Sequence, residues 1–376
     1  MAQRDYDLVV YGATGFTGKL ICARLAQRAA QEGLRWAMAG RSLGRLESAR
    51  TDVDTGDAAL IEADAARPDT IDALAASTHM VISVVGPYQI HGEVMVKACV
   101  EAGTDYVDLS GEPLWMRDMI DRYEVLAKET GARVLFSCGF DSIPAEIGTW
   151  TCQQAALRAF GKPVPRIRAR MRTFVGGPSG GSVASGMAMM ELAGQDAKKA
   201  ALLADPFALT PGFAGPAHPD YMIVEEEEGL GPVGPFSLGP TDMKNVHRSN
   251  FLLGHLYGRD FIYDEKLVNP PPPRPMSPDS LPRPGEGPSA EVMANGRFNL
   301  LLIGEEEGRE KIRVVVSGDE EPGYRTTSKL IVETALALRE ADDLAPGIWT
   351  PVAALQTPLV ERIVENTPIR IDTQIS

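Results

Sequence analysis

The sequence contains few of the side chains from which disulfide frameworks and metal sites are built. It has only four cysteines and five histidines in 376 residues. The cysteines, at positions 22, 99, 138 and 152, have neither C-x-x-C spacing nor a clustered histidine. Such thiols are typical of reduced, mostly buried positions in an intracellular protein. The sequence therefore predicts a cytoplasmic protein without a metal site.

Long apolar runs and an excess of positive charge are also absent. No apolar stretch reaches the roughly 18–20 residues that cross a bilayer, and the first residues lead directly into a predicted strand without an apolar signal region. The formal net charge is −14, which argues against a nucleic acid or an anionic membrane as a partner of the whole surface. We expect no transmembrane segment and no nucleic-acid partner.

A glycine-rich turn is the most informative feature that is present. The apolar run at 8–11 stops at Gly12, Gly15 and Gly18 follow at three-residue spacing, and an amphipathic helical pattern comes next. Strand, glycine turn and helix in this order predict the first βα unit of a dinucleotide-binding fold. The helix N-terminus would offer free N–H groups to a pyrophosphate. A tight turn of purely structural importance is the alternative.

The residues of this turn are the first predicted cofactor ligands. They are Gly12, Ala13, Thr14, Gly15, Phe16, Thr17 and Gly18.

The end of the second predicted strand indicates which dinucleotide is bound. NAD-preferring sites usually have a carboxylate here to accept from the ribose 2′-hydroxyl, but this strand ends in Arg41 and Ser42. Arg41 can face a 2′-phosphate and stack on adenine, and Ser42 can donate to the same phosphate. Asp64, after the third predicted strand, is expected near the adenine. NADP(H) is therefore the predicted cofactor, although Arg41 could instead be a solvated residue at a helix start.

Strands and helices alternate through the first part of the chain and then stop doing so. Residues 1–145 show the pattern of a Rossmann-type, doubly wound parallel sheet of the α/β class. Residues 146–340 predict a second, smaller α+β domain, with a strictly alternating strand at 166–174 and a proline-rich surface loop at 269–288. The C-terminal segment, 341–376, is expected to pack on the Rossmann domain.

Three later predicted strands end in glycine-marked polar loops, at 86–88, 108–112 and 139–144. Ligands of open parallel sheets bind beyond the carboxyl ends of the strands, so these loops should converge near the nicotinamide. We expect cofactor contacts from the first loop and the residue before it, at Val85, Gly86 and Pro87.

The same loops supply the catalytic candidates, Tyr88, Asp141 and Ser142. Tyr88 is the preferred proton donor, because its loop follows the strand beside the cofactor cleft. Asp141 and Ser142 have a simpler alternative role, which is to cap the helix that begins near Pro144. Asp108, in the loop at 108–112, is a further polar candidate. Its alternative role is only to accept hydrogen bonds from neighbouring loop amides.

Substrate contacts are expected from two places. Glu112 ends the second of these loops, and the glycine- and serine-rich segment 176–186 contains Ser179, Gly180 and Gly181. Repeated Gly and Ser before a helix leave N–H groups free for an anion or a carbonyl. A flexible turn is the alternative. No tyrosine has a lysine four residues later, so the Tyr-x-x-x-Lys mechanism of short-chain dehydrogenases is not expected.

Several of these motifs together resemble the saccharopine dehydrogenase-like oxidoreductases, and within them the subgroup that includes the trans-acting enoyl reductases of mycobacterial lipid synthesis. The similar segments are GATGFTG at 12–18, AGRS at 39–42, VGPY at 85–88, YVDLSGE at 106–112, GFDSIP at 139–144, GGPSGGS at 176–182 and GYRTT at 323–327. The resemblance implies an NADP-binding Rossmann domain and a smaller α+β domain whose sheet covers the cleft.

The resemblance also implies a function. We expect NADP-dependent reduction of a C=C bond in an apolar, acyl or polyketide-type substrate, because the segments near the cleft are rich in Gly, Ser, Met and Phe. One alternative is a saccharopine reductase-like enzyme that reduces the imine of an amino acid. Another is a non-catalytic, NADP-binding, lipid-associated protein, whose segment 251–257 would touch a membrane peripherally. A homodimer formed through the sheet of the second domain is a further expectation.

Overall fold

The computed structural model describes residues 4–272, 281–283 and 285–376, and its strands form two sheets of seven. The strands are β1 (Tyr6–Tyr11), β2 (Trp36–Gly40), β3 (Ala59–Glu62), β4 (Thr78–Ser83), β5 (Asp105–Asp108), β6 (Arg133–Leu135), β7 (Arg166–Val175), β8 (Glu225–Glu227), β9 (Gly231–Gly234), β10 (Ile262–Val268), β11 (Arg297–Glu306), β12 (Arg309–Gly318), β13 (Gly347–Trp349) and β14 (Ile369–Ile375).

The α-helices are α1 (Phe16–Glu32), α2 (Leu43–Asp52), α3 (Pro68–Ser77), α4 (Tyr88–Ala102), α5 (Pro113–Thr130), α6 (Ile143–Phe160), α7 (Gly180–Gln195), α8 (Ala197–Ala204), α9 (Gly239–Leu252), α10 (Ala290–Asn295), α11 (Thr327–Glu340) and α12 (Pro351–Asn366). A π-helical turn, Pro322–Thr326, precedes α11. None of the described helices combines the length and the apolar character needed to span a membrane.

The first sheet is parallel throughout, in the order β13-β6-β5-β4-β1-β2-β3. Leu8, Val9 and Val10 of its central strand β1 are fully buried, and they contribute alternately to apolar clusters on the two faces. A continuous apolar run is what a strand covered by helices on both faces requires. The predicted doubly wound Rossmann-type sheet is confirmed.

The second sheet is mixed, in the order β14-β12-β11-β7-β10-β9-β8. Its strand β7 is antiparallel to β11 and parallel to β10. The predicted alternation puts Ile167, Ala169 and Met171 in the core, but the opposite face is not simply solvated. Arg170 on that face is buried, because Asp264 of β10 and Glu227 of β8 pair with its guanidinium at 2.7 and 2.6 Å.

The C-terminal segment contributes one strand to each sheet. Strand β13 extends the first sheet beside β6, whereas β14 forms an edge of the second sheet beside β12. The expectation that residues 341–376 pack on the Rossmann domain therefore holds for β13 and not for β14. One apolar cluster joins both sheets, from Val10 to Val316, so the predicted boundaries at 145 and 340 do not separate two independent cores.

A buried carboxylate ties together three helices, α1, α11 and α12. Glu333 of α11 is fully buried, and its Oε1 lies 2.6 Å from Arg24 and 3.2 Å from Arg28 of α1. Its Oε2 lies 3.1 Å from Arg362 of α12. Helix α11, which the sequence assigned to the second domain, is thereby held on the Rossmann helix α1.

We expect Glu333→Gln to lower the free energy of unfolding by about 2–3 kcal/mol, because three guanidinium groups lose their buried counter-charge. Chemical unfolding of the purified protein measures this change. Glu340→Gln is the matched control: Glu340 bonds the same Arg362, but its side chain is 56% exposed, so its loss should cost less than about 1 kcal/mol. Equal losses from the two variants would contradict the role of Glu333.

Candidate active site

The glycine-rich turn leaves the N-terminus of α1 open, as a phosphate site requires. Gly12 has a φ of 94°, and a Cβ on Gly18 would lie 2.2 Å from the Gly12 carbonyl oxygen. Only glycine therefore permits this approach of helix to strand. Gly15 occupies the N-cap position of α1 and has no capping side chain, so N–H groups of the first helical turn remain free for an anion.

A cavity of about 540 Å³ lies in front of this turn. Its lining includes nine of the predicted cofactor residues, which are Gly12, Thr14, Gly15, Phe16, Arg41, Ser42, Asp64, Val85 and Gly86. Ala13, Thr17, Gly18 and Pro87 do not line it. Ala13 is fully buried, and Gly18 acts through the close packing described above.

The adenosine end of the cavity has two guanidinium groups. Arg41 is exposed there, and Arg45, one helical turn later on α2, lines the same cavity. Ser42 is the N-cap of α2 and accepts from the N–H of Arg45 at 3.4 Å. Two cations at the end of β2 fit a ribose 2′-phosphate. Arg45 is not among the residues predicted from the sequence, and its position in the first turn of α2 brings it to the same cavity as Arg41.

The predicted proton donor, Tyr88, does not face the cleft. Its hydroxyl donates to the carbonyl of Ser83 at 3.0 Å and accepts from the N–H of Leu109 at 3.1 Å. Burial raises the pKa of this phenol well above its ordinary value. Its only proton is committed to the main chain, so the assignment of Tyr88 as catalytic acid is wrong. The hydroxyl joins the ends of two strands.

Glu112 caps helix α4, which follows the neighbouring strand β4, rather than binding substrate. Its two carboxylate oxygens accept from the N–H groups of Tyr88 and Gln89, at 3.0 and 2.9 Å. These are the first residues of α4, whose own N-cap is Pro87 and offers no side-chain acceptor. A negative charge at this helix end is favourable, and the buried carboxylate is fully used there. The predicted substrate contact is therefore not supported by the structure.

Asp108 holds the neighbouring loops in the same manner. Its Oδ1 accepts from the N–H groups of Ser110 and Ser137 at 2.9 and 3.1 Å, and its Oδ2 from the hydroxyl of Tyr106 at 3.0 Å. Burial raises the pKa of Asp108 to about 7, and these hydrogen bonds act in the opposite direction. The alternative reading of Asp108, as a partner of loop amides, agrees with this geometry.

The two predicted site residues in the loop after β6, Asp141 and Ser142, differ from each other in burial. Ser142 is fully buried, and its hydroxyl donates to Oε1 of Glu146 at 2.5 Å instead of capping α6. It therefore does not face the cleft as a catalytic residue would, and it occupies the N-cap position of α6 without accepting a main-chain N–H. Asp141 keeps partial access to solvent, and burial raises the pKa of its carboxyl to about 6.

The glycine- and serine-rich segment forms the start of α7. Ser179 is its N-cap and accepts from the N–H of Ser182 at 3.2 Å. The N–H of Gly180, predicted to bind substrate, donates to the carbonyl of Glu286 at 3.1 Å, so that donor is occupied. Gly181 is exposed.

Helix α7 also lies against the loop that follows β4. The Gln89 side-chain amide donates to the carbonyl of Ser185 at 3.4 Å, and a Cβ on Gly86 would be 3.6 Å from the Ser185 hydroxyl. The helix therefore packs beside the loop at Gly86, which lines the cofactor cavity.

Parts of the proline-rich segment reach the cofactor turn. A Cβ on Gly287 would lie 2.3 Å from the ring of Phe16, and Gly285 lines the cofactor cavity. Residues 273–280 and 284 of the predicted loop lie outside the described residues, and the part nearest Phe16 is packed rather than an open surface loop.

Sequence analysis missed a tyrosine at the glycine-rich turn. The ring of Tyr324, in the π-helical turn before α11, packs edge-on to Phe16 with centroids 5.3 Å apart. Its hydroxyl lies 3.1 Å from that of Ser182. The sequence signal for this tyrosine is the segment GYRTT at 323–327, which is one of the motifs shared with the family.

Comparison with known proteins agrees with this architecture. A trans-acting enoyl reductase of Mycobacterium tuberculosis (strain ATCC 25618 / H37Rv) is 32% identical over 406 residues, covering 96% of each chain. A second protein of the same strain, also named as a trans-acting enoyl reductase, is 34% identical over 405 residues, again covering 96% of each chain. The chain belongs to this family. Residues 8–135 match the saccharopine dehydrogenase NADP-binding domain.

Saccharopine dehydrogenase (L-Glu forming) from Saccharomyces cerevisiae has the same fold, with a TM-score of 0.58 and 12% identity over 99% of this chain and 100% of that one. The predicted family, the NADP(H) cofactor and the assignment as an oxidoreductase are confirmed by these matches. The arginine pair at the end of β2 explains the cofactor in physical terms, since no carboxylate stands where NAD would require one.

We expect Arg41→Ala and Arg45→Ala each to weaken NADPH binding about 10- to 100-fold and to leave NADH binding within about 2-fold, because each removes a charge-assisted contact to the 2′-phosphate alone. Fluorescence titration of both nucleotides measures the two affinities. Arg122→Ala is the matched control, since Arg122 is an exposed arginine of α5 that pairs with Glu93. Equal losses for both nucleotides would contradict a 2′-phosphate role.

The buried carboxyl of Glu146 should make the stability depend on pH. It accepts from Ser142, Ser249 and the N–H of Val352, and burial raises its pKa to about 7. Because the folded state then binds the proton more tightly than the unfolded state, stability falls as pH rises between about 5 and 7. Glu146→Gln should flatten that slope by up to about 1.4 kcal/mol per pH unit. The measurement is the free energy of unfolding at several pH values across this range. If it changes equally with pH in the wild-type protein and in Glu146→Gln, the assignment is contradicted.

Proposed function

We propose that the protein reduces a C=C bond conjugated to a carbonyl group in an apolar acyl substrate. The observation that carries this proposal is the character of helix α7, beside the loop at Gly86. This helix has the sequence GGSVASGMAMMELAGQ, with no basic residue. Such a surface fits an acyl chain and offers no cation for a carboxylate-rich amino acid. The names of the family relatives support the same reaction class.

Helices α7 and α4 pack against each other, and both carry exposed apolar side chains. Met187 and Met190 of α7 and Ile90 of α4 are 67%, 64% and 63% exposed. Exposed apolar side chains are typical of a binding surface where they are contiguous, and methionine adapts to flexible chains. We infer that Ile90, Met187 and Met190 form an apolar strip, which receives the part of the acyl chain that leaves the cleft.

The chain's own residues would position the reactants. The α1 N-terminus and the pair Arg41 and Arg45 would hold the phosphates, and the loop at Val85 and Gly86 would place the nicotinamide beside α7. When bound, NADPH supplies the hydride, and the protein excludes water and supplies a proton.

Membrane contact and a homodimer remain predictions. Tyr257, at the end of the segment 251–257 considered for a membrane, is buried, and Phe251 of the same segment packs near Phe213 and His255. This packing gives the segment a structural role in the second part of the chain.

Oxidation of NADPH with a series of 2-enoyl thioesters of increasing chain length tests the proposal. We expect kcat/KM to rise with chain length, because each buried methylene contributes about 0.8 kcal/mol, and saturated acyl thioesters to give no turnover. Preferred turnover of α-aminoadipate semialdehyde with glutamate would instead establish imine reduction. Tight NADPH binding without turnover of either class would favour a non-catalytic role.

Substitutions in the apolar strip provide a second test. Met187→Ser with Met190→Ser should lower kcat/KM for long-chain enoyl thioesters about 10-fold and leave short-chain ones unchanged, because only long chains reach the strip. Met222→Ser is the matched control, since Met222 is 59% exposed but lies outside α7. Equal effects of the double variant on short and long chains would contradict the inferred path.

A further inference from the structure

The ring of Tyr324 lies at the junction of the cofactor turn and helix α7. Its edge-on contact with Phe16 fixes it against the first turn of α1, with an interplanar angle of 78°. Its hydroxyl lies 3.1 Å from that of Ser182, in the first turn of α7. Helix α7 also contacts the loop at Gly86, so one helix joins Tyr324 to a residue that lines the cofactor cavity.

The main chain around Tyr324 is held rigidly. The carboxylate of Glu321 accepts from the N–H groups of Gly323, Tyr324 and Arg325 at 2.8, 2.8 and 3.1 Å. This fully buried carboxylate stabilises the π-helical turn by satisfying its first donors. A catalytic side chain requires such support from its surroundings.

The same segment contacts the loop after β6. The hydroxyl of Thr327 accepts from the N–H of Phe140 at 3.0 Å, and a Cβ on Gly139 would lie 3.1 Å from the Thr327 methyl group. Tyr324 is thereby brought close to Asp141, the one predicted carboxyl of these loops that keeps access to solvent.

The hydroxyl of Tyr324 is connected to solvent through serine. Tyr324 is only 6% exposed, whereas Ser182 is exposed. The hydroxyl oxygens of Ser179 and Ser182 are 3.3 Å apart. A buried phenol bonded to an exposed hydroxyl can lose a proton to one side and regain it from the other.

Burial and the negative charge of Asp141 both raise the pKa of Tyr324, and burial is the larger cause. The phenol is therefore protonated at neutral pH, which is the form that a general acid requires.

We propose that Tyr324 is the proton donor of the reduction and that Ser182 returns the proton to it. The inference rests on the proposed enoyl reduction. As the substrate accepts a hydride at the carbon remote from the carbonyl, the C=C π bond breaks and its electron pair moves toward the carbonyl. The O–H bond of Tyr324 then breaks, and its proton forms a C–H bond at the carbon next to the carbonyl. The tyrosinate takes a proton from Ser182, which regains one from water.

The location of Tyr324 can be tested without any substrate. The protein is labelled with 3-fluorotyrosine, and the ¹⁹F resonance of Tyr324 is assigned by its loss in Tyr324→Phe. The resonance is then recorded as a function of pH, once with NADP⁺ bound and once with 2′-phospho-ADP-ribose, which lacks the nicotinamide. NADP⁺ should lower the pKa of Tyr324 by about one unit relative to the fragment, because only NADP⁺ places a positive ring beside the phenol. Identical titrations would overturn the placement.

Kinetics test the proton transfer itself. Tyr324→Phe keeps the ring against Phe16, so it should leave the affinity for NADPH within about 2-fold and lower kcat about 100-fold or more. Tyr257→Phe is the matched control, because Tyr257 is a buried tyrosine whose hydroxyl has no hydrogen-bond partner in the described ranges. Ser182→Ala should lower kcat less and move the alkaline limb of the pH–rate profile upward, since it removes a donor to the tyrosinate.

The outcomes separate this inference from the function on which it rests. Unchanged kcat in Tyr324→Phe, with wild-type turnover of enoyl thioesters, would overturn the role of Tyr324 alone. An absence of wild-type turnover together with a shift specific to NADP⁺ would overturn enoyl reduction while retaining Tyr324 at the nicotinamide.

Discussion

Buried carboxylates that accept main-chain N–H groups determine the shape of the cleft. Glu112 caps α4, Asp108 joins the loops after β5 and β6, and Glu321 fixes the π-helical turn that contains Tyr324. Each accepts two or three backbone donors that would otherwise be unsatisfied in the interior, which is costly. The loops predicted to carry the catalytic groups are therefore held by carboxylates whose oxygens are already bonded to main-chain N–H groups.

This arrangement explains where sequence reasoning succeeded. The glycine-rich turn, the arginine at the end of β2 and the doubly wound sheet are local patterns, because a βα unit is specified by residues close together in the chain. The three loops after β4, β5 and β6 were also placed correctly at one edge. What the sequence could not distinguish was a carboxylate or hydroxyl that faces the cleft from one that faces the main chain, and Tyr88, Glu112 and Ser142 all proved to be the second kind.

Tyr324 is a residue whose position local sequence patterns do not predict. It lies 308 residues after Phe16 in the sequence (324 − 16), and only the packing of α11 on α1 brings the two rings together. That packing depends in turn on Glu333 and the three arginines around it, and the continuous core leaves the two sheets little freedom to separate. A division at residue 340 hides this connection, since Tyr324, which packs on Phe16 of the cofactor turn, comes from the part assigned to substrate binding.

The charges on the two sides of the glycine-rich turn differ in sign. Arg41 and Arg45 place positive charge in the cofactor cavity, whereas the carboxyl of Asp141 acts on Tyr324. The negative charge of Asp141 would also destabilise the tyrosinate left after proton transfer. A nearby donor with access to water is then required for rapid return of the proton, and the exposed hydroxyl of Ser182 is suited to that step.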